Sequence, residues 1–171
     1  MRITPETLPL LGAFPLTAPL AGDPAALELL AGILEERRYR AGDQIVHKGE
    51  RGDCAFLLVD GEVEVLDYTM DREPYTRAVL DSAEHPLFGE VALVGDGERI
   101  ATVEARTNCL CWVLRREAFE RLGDQHPRVG LALLRHVAHL LAGHLQKTNR
   151  DVLHLFEALV LEIEQKAVGG R

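Results

Sequence analysis

The chain opens with an apolar stretch whose periodicity is broken by prolines. Four prolines interrupt residues 1–22, which predicts an irregular arm with one helical turn near residues 6–11. Asp23 followed by Pro24 is typical of a helix start, because Asp caps the amino end and Pro suits the first turn. The apolar residues that follow predict a short helix to about residue 33.

Between residues 35 and 115 the pattern changes to short strand-forming runs separated by glycine turns. Such runs, recurring every 8–12 residues or so, are typical of an antiparallel sandwich or small barrel. The predicted strands are residues 44–47, 54–59, 62–68, 75–80, 101–105 and 109–114. We therefore predict an α+β fold: an antiparallel β-roll, a double-stranded jelly-roll-like core, with an N-terminal helix and long C-terminal helices.

From residue 116 onward the apolar spacing is helical. A short helix is expected to end at Gly123, and Asp124 with Pro127 to start a long one. Apolar or small residues then recur every three or four positions at Leu134, Val137, Leu141, Leu145, Thr148, Val152, Leu155, Leu159 and Ile163. This stripe either packs on the β core or forms a dimer seam, and its length favours the homodimer.

These patterns divide the chain into an arm (residues 1–22), a β-roll (23–125) and a helical region (126–171). The length of the chain, 171 residues, is typical of one domain with an additional segment. The net charge of −8 disfavours nucleic-acid binding, which needs a basic face, but is compatible with a small anionic ligand. The chain shows no signal-peptide pattern and no continuous apolar span, so we expect a cytoplasmic protein away from membranes.

The cysteines and histidines do not form the pattern of a metal site. Cys109 and Cys111 share a strand face, but no second pair completes a four-ligand set, and the three cysteines are too few for a disulfide framework. His136 and His139 are three residues apart on a helix, without a carboxylate to complete a site. No nucleophile–base arrangement has the strand–turn–helix context of a hydrolase. We expect neither a metal site nor catalysis.

The most informative segment is residues 88–103, FGEVALVGDGERIATV. Gly89 permits close backbone approach, the next residues can start a helix whose N–H groups face an anion, and Glu90 can accept hydrogen bonds from a diol. Arg99 follows after a glycine-flanked turn at residues 95–97 and offers a two-pronged donor to phosphate. These residues therefore predict a site that binds a sugar phosphate. The alternative is that Arg99 is a structural arginine paired with Glu90 or Glu98.

This segment resembles the phosphate-binding cassette of the cyclic nucleotide-binding domain family, of the catabolite activator protein and protein kinase A regulatory subunit type. Upstream, GDQIVHKGERGDCAFLLVDGEVEVL resembles the early strands of that family, and the similarity runs from about residue 27 to 155. The resemblance implies a non-catalytic regulatory protein that holds a cyclic nucleotide.

The resemblance also implies roles for individual residues. Glu90 corresponds to the carboxylate that binds the ribose 2′-hydroxyl, and Arg99 to the arginine that pairs with the cyclic phosphate. Thr148 and Asn149 correspond to polar residues of the dimerisation helix that reach the purine. The full implied ligand-binding set is Phe88, Gly89, Glu90, Val91, Ala92, Arg99, Ile100, Ala101, Thr148 and Asn149.

Two residues depart from the family pattern. Ile100 stands where Ala, Ser or Thr is usual, which argues for cAMP over cGMP, and Glu98 adds a negative charge beside Arg99. No helix-turn-helix is expected after the long helix, so the signal is expected to pass to an unknown effector protein rather than to DNA. The alternative is a dimeric interaction scaffold that no longer binds cyclic nucleotide; another small effector in the same pocket also stays open.

Overall fold

The computed structural model describes residues 5–71, 73–95 and 97–169. Residues 1–4 of the predicted arm and residue 96 of the predicted turn lie outside the described residues, as do 72, 170 and 171. The chain forms two compact units, Met1–Leu134 and Arg135–Arg171.

The N-terminal arm is a packed part of the first unit. A 3-10 turn (Pro5–Thr7), helix α1 (Leu8–Leu11) and a second 3-10 helix (Pro15–Leu20) precede helix α2 (Pro24–Ala31). The helical turn was predicted, whereas the second 3-10 helix was not. Four apolar side chains of the arm are buried: Leu11, Phe14, Leu16 and Leu20.

Two polar side chains stabilise this region. The hydroxyl of Thr17, itself buried, lies 2.6 Å from the carbonyl oxygen of Leu11 and 2.8 Å from that of Phe14. As predicted, the side chain of Asp23 caps α2 by accepting a 3.0 Å hydrogen bond from the backbone N–H of Ala26.

Eight strands form two four-stranded antiparallel sheets. They are β1 (Leu34–Tyr39), β2 (Gln44–Val46), β3 (Cys54–Asp60), β4 (Glu62–Tyr68), β5 (Pro74–Asp81), β6 (Leu87–Phe88), β7 (Thr102–Ala105) and β8 (Cys109–Arg115). The sheet orders are β1-β8-β3-β6 and β2-β7-β4-β5. The β-roll prediction is confirmed, and six of its strands agree with prediction within a few residues; β1 and β6 were missed.

The main core lies between the sheets, because strands of both contribute to one buried cluster. Its members are Val46, Cys54, Phe56, Leu58, Val63, Phe88, Val103, Ala105, Cys109, Cys111 and Val113. On β8 the alternate residue Trp112 faces the other side, where its ring lies 5.6 Å from that of Phe14. The inner strands of the first sheet, β8 and β3, are therefore largely buried on both faces, with the arm covering part of the outer one.

Helix α3 (Val91–Val94) lies between β6 and β7, and two more helices follow the β-roll. Helix α4 (Arg116–Gln125) continues through Gly123, where the sequence predicted its end, and α5 (Pro127–Gly169) begins at the predicted proline. A Cβ added to Gly130 would lie 2.4 Å from the Cα of Gly123, so the two glycines mark a close contact of α4 with the first turn of α5. The second unit consists of the rest of α5.

Candidate functional site

The predicted cassette lies where β6 meets a short helix. Gly89 follows β6 with a φ of +72°, a conformation that favours glycine, and helix α3 (Val91–Val94) begins two residues later. Backbone hydrogen bonds from Ala92 to the carbonyl of Gly89 (3.1 Å) and from Leu93 to that of Glu90 (2.9 Å) close the turn. Stacking of Phe88 on Phe56, with ring centroids 5.1 Å apart, anchors the strand in the core.

Arg99 brings its guanidinium to this turn. Its Nη1 donates a 3.1 Å hydrogen bond to the carbonyl of Gly89, and its Nη2 lies 3.6 Å from the Sγ of Cys54. The guanidinium carbon lies 5.8 Å from the centroid of the Phe56 ring, within cation–π range. Each of these three contacts is with a neutral group.

Burial singles out the same pair of charged residues. Of the charged side chains that the structure describes, Glu90 (6% exposed) and Arg99 (8% exposed) are the buried ones. Burying a charge is costly, so buried charged residues are found where they are paired or where they serve a functional site. Both belong to the ligand-binding set that the sequence resemblance implies.

The neighbouring residues of the predicted segment differ in their exposure to solvent. Ala92 and Ala101 are buried and Val91 is half-buried, beside or within the turn. Ile100 is 61% exposed, and Glu98 is exposed while its neighbour Arg99 is buried.

Thr148 and Asn149 lie at exposed positions on α5, in the second unit.

Three residues around Arg99 were not predicted: Gly52, Cys54 and Phe56. They come from the turn before β3 and from β3 itself, and a Cβ added to Gly52 would lie 2.1 Å from the Nε of Arg99. Burial raises the pKa of the Cys54 thiol, while the nearby Arg99 charge opposes that rise. No local signal in the sequence joins this turn to the cassette, because the contact spans more than forty positions.

A second arginine ties the cassette helix to α4. Arg116, the first residue of α4, donates a hydrogen bond from Nε to the carbonyl of Ala92, and its backbone N–H donates to the carbonyl of Asp53 at 2.7 Å. The cassette helix, the turn before β3 and the start of α4 thus meet at one side chain.

The cysteines belong to the core. Cys54, Cys109 and Cys111 are free and buried, and burial raises the pKa of Cys111 to about 12.

No group of three or more His, Cys, Asp or Glu among the described residues is arranged to hold a metal ion. Likewise, no helix in the described part of the chain is long and apolar enough to cross a membrane.

Comparisons with known proteins identify similar sequences and a similar fold. A family model described as "Cyclic nucleotide-binding domain" matches residues 36–126. A cGMP-dependent protein kinase of Drosophila melanogaster is 35% identical over 116 residues, which cover 66% of this chain and 12% of the kinase. The cAMP-dependent protein kinase regulatory subunit of Dictyostelium discoideum is 38% identical over 95 residues, covering 54% of this chain and 29% of the subunit.

A solved structure gives the same result at the level of the fold. The catabolite activator protein of Thermus thermophilus superposes with a TM-score of 0.72 at 26% sequence identity, covering 82% of this chain and 62% of that one. This chain therefore spans less than a third of the two curated relatives and under two thirds of the structural one.

Proposed function

This chain belongs to the cyclic nucleotide-binding domain family, and we propose that it is a non-catalytic sensor of cAMP that signals through its C-terminal helices to a separate protein. The observation that carries this proposal is the buried guanidinium of Arg99, which lies 3.1 Å from the Gly89 carbonyl at the start of α3. A buried, preoriented arginine is the group that recognises a desolvated phosphate.

In this proposal the two buried charged residues bind different groups of the ligand. Arg99 binds the cyclic phosphate, and the carboxylate of Glu90 accepts a hydrogen bond from the ribose 2′-hydroxyl. Gly89 allows the Arg99 guanidinium to approach the backbone, because a Cβ there would lie 2.8 Å from Arg99 Nη1. Phe88, Val91, Ala92 and Ala101 form the apolar support of this turn.

The preference for cAMP rests on Ile100. In the family, a cGMP preference is associated with a Thr or Ser hydroxyl at this position, and an isoleucine offers none. Ile100 is 61% exposed, so the isoleucine is not part of the buried core beside which Arg99 lies. Thr148 and Asn149 are proposed purine contacts of the second unit.

The proposed signal path uses contacts within the first unit. Arg116 joins the carbonyl of Ala92 in α3 to the start of α4, and Gly123 of α4 touches Gly130 in the first turn of α5. A ligand that favours one position of α3 therefore has a continuous packed route to α5. The ligand shifts the population toward that arrangement by its higher affinity for it.

We further propose that α5 forms a homodimer and that the protein is cytoplasmic. The helix exposes an apolar stripe in the single chain, with Leu145, Val152, Leu155, Leu159 and Ile163 each more than half exposed. These residues share one helical face, and water-exposed stripes of this length favour association with a second helix. The three free thiols support a reducing compartment.

The test is calorimetric titration with cAMP and with cGMP, on protein unfolded and refolded to remove bound ligand. We compare the wild type with Arg99→Ala, and with Arg38→Ala as a matched control whose side chain is 72% exposed. Leaving a desolvated phosphate unpaired costs about 2–5 kcal/mol, which is about 30-fold to several thousand-fold in Kd.

The expected result is tighter binding of cAMP than of cGMP, a loss of this size in Arg99→Ala and none in Arg38→Ala. An Arg99→Ala protein that binds cAMP as the wild type does would overturn the assigned site. If the folded wild type binds neither nucleotide, the sensor proposal fails, and the interaction scaffold becomes the better hypothesis.

A further inference from the structure

The guanidinium of Arg99 occupies the space in which residue 52 would carry a side chain. A Cβ built on Gly52 would lie 2.1 Å from Nε, 2.2 Å from Cζ and 2.3 Å from Nη2 of Arg99. These distances are far below van der Waals contact, so Arg99 and any larger residue at position 52 cannot both keep their places.

The backbone does not require glycine at this position. Gly49 and Gly97, which flank the same contact, have φ values of +84° and +85°, a region that disfavours other residues. Gly52 does not have a positive φ, so an alanine could adopt its backbone conformation. The need for glycine here comes from the arginine.

Main-chain hydrogen bonds hold Gly52 beneath Arg99. The N–H of Gly52 donates to the carbonyl of Gly97 at 2.7 Å, and the N–H of Arg99 donates to the carbonyl of Glu50 at 2.9 Å. The N–H of Gly49 in turn donates to the carbonyl of Arg99 at 2.8 Å. The two backbones are thus fixed against each other, and the arginine side chain is the part that an added methyl group would displace.

We infer that Gly52 is a positioning residue of the ligand site: its missing side chain lets the Arg99 guanidinium lie against Gly89. This inference rests on the proposed function. It extends the site to the turn before β3, and it assigns Gly52 a role that acts on the ligand through Arg99.

The variant Gly52→Ala tests this inference. The added methyl group displaces the guanidinium, the far end of a flexible side chain, so the fold tolerates the change while the phosphate contact is lost. We expect the Kd for cAMP to rise at least tenfold, toward that of Arg99→Ala, with a melting temperature within a few degrees of the wild type. Gly143→Ala is the matched control, because nothing lies within 4 Å of its added Cβ.

A double-mutant cycle separates positioning from a general structural effect. In the Arg99→Ala background the clash is gone, so Gly52→Ala should cause no further loss of affinity. An equal, additive loss in that background would overturn the inference, as would wild-type affinity in Gly52→Ala.

A measurement without ligand keeps this inference distinct from the proposed function. The Nε–Hε signal of Arg99, assigned in an NMR spectrum by its absence in Arg99→Lys, should shift in Gly52→Ala and stay unchanged in Gly143→Ala. If the wild type binds no cyclic nucleotide and the signal nevertheless shifts, the proposed function fails while the positioning of Arg99 by Gly52 stands. An unshifted signal would overturn the positioning role whatever the ligand.

Discussion

Removing the ring of Phe14 should destabilise the first unit strongly, although the residue lies in a proline-rich arm. Its side chain is 1% exposed, and its ring centroid lies 5.6 Å from that of Trp112 and 4.9 Å from that of His85. Replacing a buried Phe by Ala costs about 3–5 kcal/mol through lost burial and the cavity left behind. The aromatic pairs put Phe14→Ala near the middle of that range, about 4 kcal/mol.

This loss is a large fraction of the total stability of a typical domain, about 5–15 kcal/mol. For a chain of this size it corresponds to a fall in melting temperature of about 8–16 °C. Urea denaturation followed by fluorescence measures it directly, because Trp112 is the single tryptophan and lies against the mutated ring. Circular dichroism at each urea concentration checks that the whole unit unfolds with the probe.

Two further variants make the result decisive. Phe14→Leu retains most of the apolar volume and should lose clearly less stability than Phe14→Ala. Met70→Ala, at a side chain that is fully exposed, should change the free energy of unfolding by less than about 0.5 kcal/mol. If Phe14→Ala were as mild as Met70→Ala, the arm would not be packed on the first sheet in solution, and the reasoning would be refuted.

Two other predictions concern charge and assembly. A hydrogen bond from Lys48 lowers the pKa of Asp67 below its ordinary value of 3.8, so this contact stabilises the fold at neutral pH and is lost as pH falls through the folded pKa. Lys48→Met should therefore destabilise the protein by less than about 1 kcal/mol at pH 7, and the difference from wild type, measured by urea denaturation, should shrink below pH 3.8. Leu155→Glu or Leu141→Glu should give monomers by analytical ultracentrifugation. The control His154→Glu, on the opposite face of α5, should remain a dimer. If both leucine variants remain dimers, the apolar stripe is not the dimer interface.

Local pattern was sufficient for most of the β-roll. Strands β2–β5, β7 and β8 combine strand-forming residues with glycine turns, and these signals act over a few residues. Strand β1, LEERRY, was missed because its four charged residues hide the alternation of apolar and polar positions. Charged residues are tolerated there because β1 is a half-exposed strand at the edge of its sheet. Strand β6 has two residues, too few for any period to be detected.

Helix ends and the arm depended on packing. Gly123 was expected to stop α4, but the close contact with Gly130 makes a small residue useful inside the helix. The prolines of the arm removed any helical period, so its buried side chains could not be foreseen. Propensity is a weak guide where tertiary contacts supply the larger free energy.

The residues of the candidate site illustrate the same division. By itself the sequence determined the family resemblance and the pattern of strands and turns. It also identified Gly89, Glu90 and Arg99 as candidate site residues, because these three residues lie within eleven consecutive positions. Only the tertiary structure decided that Glu90 and Arg99 are both buried and that Gly52 lies under the guanidinium. The physical reason is that burial and close approach depend on which distant segments pack together, and the pairing of residues 49–52 with residues 97–99 is such a contact.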